Sequence, residues 1–358
     1  MQTALQLAQL GRLVQLKIVD ATTPDAASAA VDRLVTQDHV PAILGTYGST
    51  LSAAASARAE QLKTIYWETG AVADPITAQR SYVFRTVATG SSLGRMAVNF
   101  THDVLLPAAD LKSPRVAIVE VDDIYGHSVG GGEAQLAKQL GIDVVDVIDY
   151  NPYAFDPDVL ARRLASDRVD FLWDVSYLDD GVAIWQAILR NHVSIKAAVG
   201  TSSAFCMPAF GAKLGKDAIG VYAADKPDGD ISSSALSAAG RDLLARAQAA
   251  YAKSNHGAAM SIPAVAGFVG AWTLLHDVLG KVSGPITPDA IRTAALAVDV
   301  PIGDEINGGG VKFGPSGSLD QGQNTRAAAV VGQWQGVMNM QTVWPAAYAT
   351  AKPLPLAG

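Results

Sequence analysis

Short apolar runs alternate with longer amphipathic ones along most of this chain. Residues 1–10 place apolar side chains at helical spacing and predict a helix. Residues 16–20 (LKIVD) predict a strand, and 24–36 a helix that starts on Thr23-Pro24. A buried strand over 41–45, a helix over 51–61 and strands over 64–67 and 82–85 follow, then a helical stretch over 91–106. The alternation restarts beyond it. Strands over 115–121, 144–148, 171–175, 197–200 and 220–223 are interleaved with helices over 129–140, 157–165 and 181–191. Strand–helix–strand spacing of this kind predicts parallel sheets covered by helices on both faces.

The pattern changes after Pro227-Asp228-Gly229. Two helical stretches, 232–253 and 263–282, add no new strand series and are expected to cover an existing lobe. The glycine run 308–310 leads into 311–314 and a hairpin-like turn at 315–317, with final strands over 327–333 and 341–344. The break at 107–114 marks a crossing between two similar α/β lobes. The expected division is 1–106 with 230–322 as one lobe, 107–229 with 323–345 as the other, and a Pro- and Ala-rich tail over 346–358.

Composition narrows the function. At 358 residues the chain is too long for one ordinary core and fits two domains. A formal charge of −7 and the absence of any Lys/Arg run argue against a nucleic-acid partner. No apolar stretch reaches the ~18 residues expected of a membrane span. The single cysteine, Cys206, allows no internal disulfide and is expected to be a small buried side chain. The histidines show no HExxH or paired spacing, and the glycine runs 130–132 and 308–310 lack the Lys-Ser/Thr of a phosphate loop. No metal, cofactor or catalytic residue is therefore expected, and the glycine runs read as turns.

Two short segments carry candidate chemistry. Ser49 and Thr50 follow a buried strand and open a helix, where backbone N–H groups and hydroxyls suit an anion; the same residues also serve as an ordinary cap. Residues 126–130 (GHSVG) match the nucleophile elbow of α/β-hydrolases, with Ser128 as nucleophile and His192, His256 or His276 as base. Residues 122–125 intervene between strand and motif, and no histidine sits in a recognisable context, so an esterase is the alternative reading.

The order of the pieces resembles the periplasmic binding proteins of branched-chain amino-acid (Leu/Ile/Val) ABC transporters, the type I periplasmic-binding fold. The residues that carry the resemblance are 43–50 (ILGTYGST), 66–71 (YWETGA), 82–86 (YVFRT), 122–126 (DDIYG), 169–171 (VDF) with Ser176-Tyr177, and 308–313 (GGGVKF). It spans nearly the whole chain. It implies two doubly wound parallel-sheet lobes around a cleft, joined by three crossing strands, with the ligand trapped on closure. It also implies an export signal, a first strand and a tight turn ahead of the opening helix. The sequence shows none of the three, and a misplaced start or a trimmed chain is expected to account for that.

The resemblance assigns the site. Ser49, Thr50 and Ala71 are expected at the ligand's anionic end, although Val72 stands where the family has a Thr hydroxyl. Tyr125 and Tyr177, at strand C-termini, are expected to close over the ligand; either is also explained by packing. Where the family often has an acid after the 197–200 strand, this chain has Thr201-Ser202-Ser203, with Ser202 at the ligand. An ammonium group needs an anion, and Glu68 or Asp174 is expected to supply it unless each is a structural carboxylate. If neither does, Trp67 and Phe205 favour an aromatic acid or amide. The implied function is a solute-binding receptor of an ABC-type uptake system, monomeric, in the periplasm or on the outer face of the cell membrane. Its partners would be a small amino acid, amide or carboxylate and a membrane permease. A ligand-sensing regulatory subunit on the same fold is a further alternative.

Overall fold

The computed structural model describes residues 1–11, 13–111 and 113–356, and the chain divides into two compact units, Met1–Ala88 with Ser233–Ala328 and Thr89–Ser232 with Ala329–Gly358. In chain order the first unit opens with α1 (Gln2–Ala8), α2 (Pro24–Thr36), β1 (Ala42–Gly45), α3 (Ser49–Gln61), β2 (Ile65–Glu68) and β3 (Val83–Arg85). The chain then enters the second unit through α4 (Gly90–Phe100) and α5 (Leu106–Ala109), linked by a π-helical turn at Thr101–Leu105. That unit continues with β4 (Arg115–Val121), α6 (Ile124–Leu140), β5 (Asp143–Tyr150), α7 (Pro157–Ser166), β6 (Phe171–Val175), α8 (Leu178–Arg190), β7 (Ala197–Thr201), α9 (Pro208–Leu214) and β8 (Tyr222–Asp225). The first unit resumes with α10 (Ala238–Ser254), α11 (Ile262–Trp272) and α12 (Pro288–Leu296), and the second closes with β9 (Val330–Gly336) and β10 (Asn339–Trp344).

Local chemistry explains most helix starts. Thr23, Asp156 and Thr287 each cap a helix whose next residue is proline, their side-chain oxygens accepting first-turn N–H groups. The sheet of the first unit is parallel, in the order β1-β2-β3. Trp67 and Phe84, from β2 and β3, pack with Phe313 at centroid distances of 5.1–5.5 Å and form the centre of its core with Leu274 and Val278. The sheet of the second unit runs β10-β9-β8-β7-β6-β4-β5, parallel from β8 to β5, with β9 and β10 antiparallel. Its core joins Phe100 and Leu105 to Val116, Ile118, Phe171, Trp173, Val199 and Tyr222.

Several expectations change. Residues 16–20 form no strand: Ile18 is 86% exposed, so their alternation buries nothing. The break at 107–114, of which Lys112 lies outside the described residues, is a helix end at Asp110 in the left-handed region rather than a lobe crossing. The stretch before it packs in the core of the second unit, so the division falls at Ala88. At the other end Gln323 and Asn324 stay with the first unit, where Arg85 Nε donates to Gln323 Oε1 at 2.6 Å and Asn324 Nδ2 to the Thr86 carbonyl at 2.9 Å. The expected tail is packed as far as it is described. The Leu354 N–H donates to Gln333 Oε1 at 2.8 Å and Leu356 lies on the core, while Ala357 and Gly358 lie outside the described residues.

The run Ile262–Lys281 is, by length and composition, one helix apolar enough to cross a membrane, contrary to the expectation that no stretch qualifies; 72% of its apolar window is buried inside the protein, so it serves as a core helix. Glycines 130–132 are not a turn but the middle of α6. A Cβ on Gly132 would lie 2.4 Å from the Ser91 carbonyl oxygen and one on Gly94 2.2 Å from that of Val129, so α4 and α6 touch backbone to backbone. A Cβ on Gly131 meets nothing. Gly132→Ala is therefore expected to cost about 1–3 kcal/mol through overpacking, and Gly131→Ala to stabilise by about 0.5–1 kcal/mol through helix propensity. Urea unfolding of the two variants measures the contrast; equal effects would contradict the close approach.

Candidate functional site

In the first unit three strand-to-helix or strand-to-loop turns carry the polar groups. β1 ends at Gly45, and the loop Thr46-Tyr47-Gly48 delivers α3, whose cap residue Gly48 has extended backbone and no side chain with which to cap. The Ser49 hydroxyl is buried and accepts the Ala73 N–H at 3.3 Å, while Thr50 is exposed. The first-turn N–H groups of α3 have no intrahelical carbonyl to bind.

Glu68 ends β2 and is fully buried. Its Oε1 accepts three successive backbone N–H groups, from Thr69 at 2.8 Å and from Gly70 and Ala71 at 2.7 Å each. Its Oε2 accepts the Ser52 hydroxyl, which lies 2.8 Å from the Tyr66 hydroxyl and 2.9 Å from that of Thr46. Burial pushes Glu68 up to about 7, although the Ser52, Gly70 and Ala71 hydrogen bonds and the Arg85 charge oppose the rise. These bonds hold Glu68 within its own loop and against α3, the structural role weighed above beside the pairing of a ligand ammonium. The Ala71 N–H is one of the three groups given to it.

In the second unit the expected tyrosines come together. Asp123 caps α6, its Oδ1 accepting the Tyr125 and Gly126 N–H groups at 2.8 and 3.0 Å and its Oδ2 the Tyr177 hydroxyl at 2.7 Å. The two rings pack at 5.3 Å. Tyr125 is almost fully buried and its hydroxyl donates to the Thr201 carbonyl, whereas Tyr177 is half-buried. Asp174 is buried, accepts the Ser176 hydroxyl and is pushed up to about 7 by burial. Ser202 sits at φ 52° and its hydroxyl accepts Lys226 Nζ at 3.2 Å. Lys226, itself buried, pairs with Asp225 at 2.9 Å. The sequence reading overlooked this pair, although an Asp-Lys at the end of an apolar strand is a usable signal.

The remaining candidates fall away on contact geometry. Trp67 is fully buried, its Nε1 donating to the Gly270 carbonyl at 2.8 Å, and Phe205 is fully buried against Phe210, so both are core residues rather than ligand aromatics. The GHSVG segment lies inside α6, where the Ser128 hydroxyl donates to the Ile124 carbonyl at 2.7 Å. An elbow needs a strained strand-to-helix turn.

The periplasmic binding protein profile matches residues 4–336. The chain belongs to that family. A relative from Brucella abortus (strain 2308), named Leu/Ile/Val-binding protein homolog 8, is 31% identical over 346 residues, covering 96% of this chain and 83% of its own. Among solved structures, a leucine-binding protein from Thermotoga maritima MSB8 aligns with a TM-score of 0.79 at 16% identity, over 96% of this chain and 92% of that one. A solute-binding protein from R. palustris in complex with benzoate gives 0.75 at 18% identity, over 98% and 91%. These two likenesses show the fold. The protein is accordingly a solute-binding protein with a small-molecule ligand and not an enzyme, which removes the esterase alternative.

Burial of Glu68 fixes a pH response. The ordinary glutamate value is 4.5, so between there and about 7 the folded protein binds more protons than the unfolded chain. Stability then falls as pH rises across that window. Asp174, raised from 3.8 to about 7, adds to the same slope. The urea midpoint of the intact protein is expected to drop from pH 5 to pH 8, and Glu68→Gln to make that dependence shallower. Parallel profiles for the two proteins would contradict the assignment.

Proposed function

We propose that this protein captures a small carboxylate-bearing solute in the periplasm, or on the outer face of the cell membrane, and presents it to the permease of an ABC-type uptake system as a monomer. The observation that carries the ligand class is the opening of α3 at Ser49-Thr50. A helix start whose cap residue is glycine offers backbone N–H groups and two hydroxyls to an anion. A carboxylate is also the feature common to the ligands named for relatives and neighbours, leucine-type amino acids and benzoate.

An amine is not required by this site. Glu68 is consumed by its own loop, Asp174 by Ser176, and Ser202 stands beside the cation of Lys226 rather than beside an acid. Within the second unit, Tyr177 and Ser202 offer an aromatic face and a hydroxyl, with Tyr125 packed against Tyr177. A desamino acid or an aromatic acid is therefore bound at least as well as its amino-acid counterpart.

Calorimetric titration of the full chain with leucine, 4-methylpentanoate, benzoate and leucinamide tests this. The acids are expected to bind and leucinamide to fail. Ser49→Ala is expected to weaken acid binding about tenfold, near 1.4 kcal/mol, for one lost hydrogen bond to a charged group. Binding of leucinamide with the acids inert would overturn the carboxylate reading.

A further inference from the structure

We propose that the second unit carries a binding site for a divalent transition-metal ion, built from Glu120, His127 and Asp149 with Asp122 beside them. The strand register sets it up. β4 and β5 are parallel neighbours, and Glu120 lies directly opposite Asp149. Residues opposite one another project to the same side of a sheet. α6 packs against β4 on that side and places His127 one turn past its Asp123 cap. One donor atom from each of Glu120, His127 and Asp149 lies within 4.8 Å of the other two. His127 Nε2 is 3.8 Å from Asp149 Oδ1 and 3.3 Å from Asp122 Oδ1, so one imidazole nitrogen faces both carboxylates.

A second observation separates this group from an ordinary patch of surface acids. Glu120 is only 6% exposed; its buried Oε2 meets no donor among the described residues, and the side chain it is close enough to share a hydrogen bond with is another carboxyl, Asp149. Burying such an oxygen without a partner is costly. The carboxylate reaches up under α6, where Gly130, one turn beyond His127, leaves the room it occupies: a Cβ there would lie 1.5 Å from Oε2. Two carboxylates side by side on adjacent strands also repel unless a proton or a cation lies between them. The outer members, His127, Asp122 and Asp149, are about half exposed, which gives an ion a way in.

The donor set selects the ion. Calcium and magnesium favour sites made of oxygen alone, whereas one imidazole with carboxylates suits zinc, cobalt or manganese. The sequence spacing conceals the group, because its members come from two strands and a helix and form no short motif.

The test is titration of the chelator-stripped full chain with Zn2+ alone, read by calorimetry and by the thermal midpoint. Saturable binding of one ion per chain with a raised midpoint is expected, and no response to Ca2+. His127→Ala is expected to weaken Zn2+ binding about tenfold or more, the scale on which a site's ligands and their supports act, while leaving the metal-free midpoint unchanged. Glu120→Gln should weaken it as well. Cobalt absorption bands present in the intact protein and lost in His127→Ala provide a readout independent of stability. Absence of saturable binding, or equal Zn2+ affinity in His127→Ala, would overturn the proposal.

Discussion

The first unit depends on one buried carboxylate. Glu68 is held by three backbone N–H groups on one oxygen and by a hydroxyl network on the other, so the strand end, the following loop and the opening of α3 form one hydrogen-bonded body. Ser52 belongs to α3 and Thr46 to the loop before it, and both meet at the same oxygen cluster. The helix start proposed to receive an anion is thereby positioned by a second carboxyl group, one turn away and shielded from solvent. Such an arrangement requires the inner charge to be fully hydrogen-bonded, because an unpaired buried carboxylate would cost far more than the loop geometry gains.

The second unit uses the same device with a different balance. Strands β4 and β6 and helix α6 bury Glu120, Asp174 and Glu133 respectively, and burial raises all three above the ordinary carboxylate range. Glu133 and Glu120 each leave one oxygen without a partner among the described residues, whereas Asp174 is met by Ser176. Lys226 is a buried cation that reaches the Ser202 hydroxyl and already serves Asp225. Charge in this unit is therefore arranged locally, pair by pair.

Much of the fold was legible because period and punctuation agreed. Thr23-Pro24 and Asp156-Pro157 marked helix starts, and the apolar runs around Val116 and Phe171 became adjacent parallel strands. What failed did so for identifiable reasons. Residues 16–20 alternate like a strand, but alternation states a preference for a half-buried surface and supplies no partner. Glycines 130–132 looked like a turn, since a glycine needed for helix contact and one needed for a bend are the same letter. The strand ends that carry the proposed contacts were legible in the sequence. Which hydroxyl or carboxylate was already engaged depended on contacts such as Ser52 to Glu68, sixteen residues apart, and these leave no local trace.

Asp123 illustrates how unevenly such a corner responds to change. One side chain closes the start of α6 through two main-chain bonds and tethers the Tyr177 ring through a third. Removing the Tyr177 hydroxyl deletes a single bond and leaves the helix intact. Removing the acid deletes all three and loosens Tyr125, whose own N–H is one of them. One acid thus serves as helix cap and as tether at once, so a lesion there reaches the main chain, while a lesion at the hydroxyl stays with one side chain.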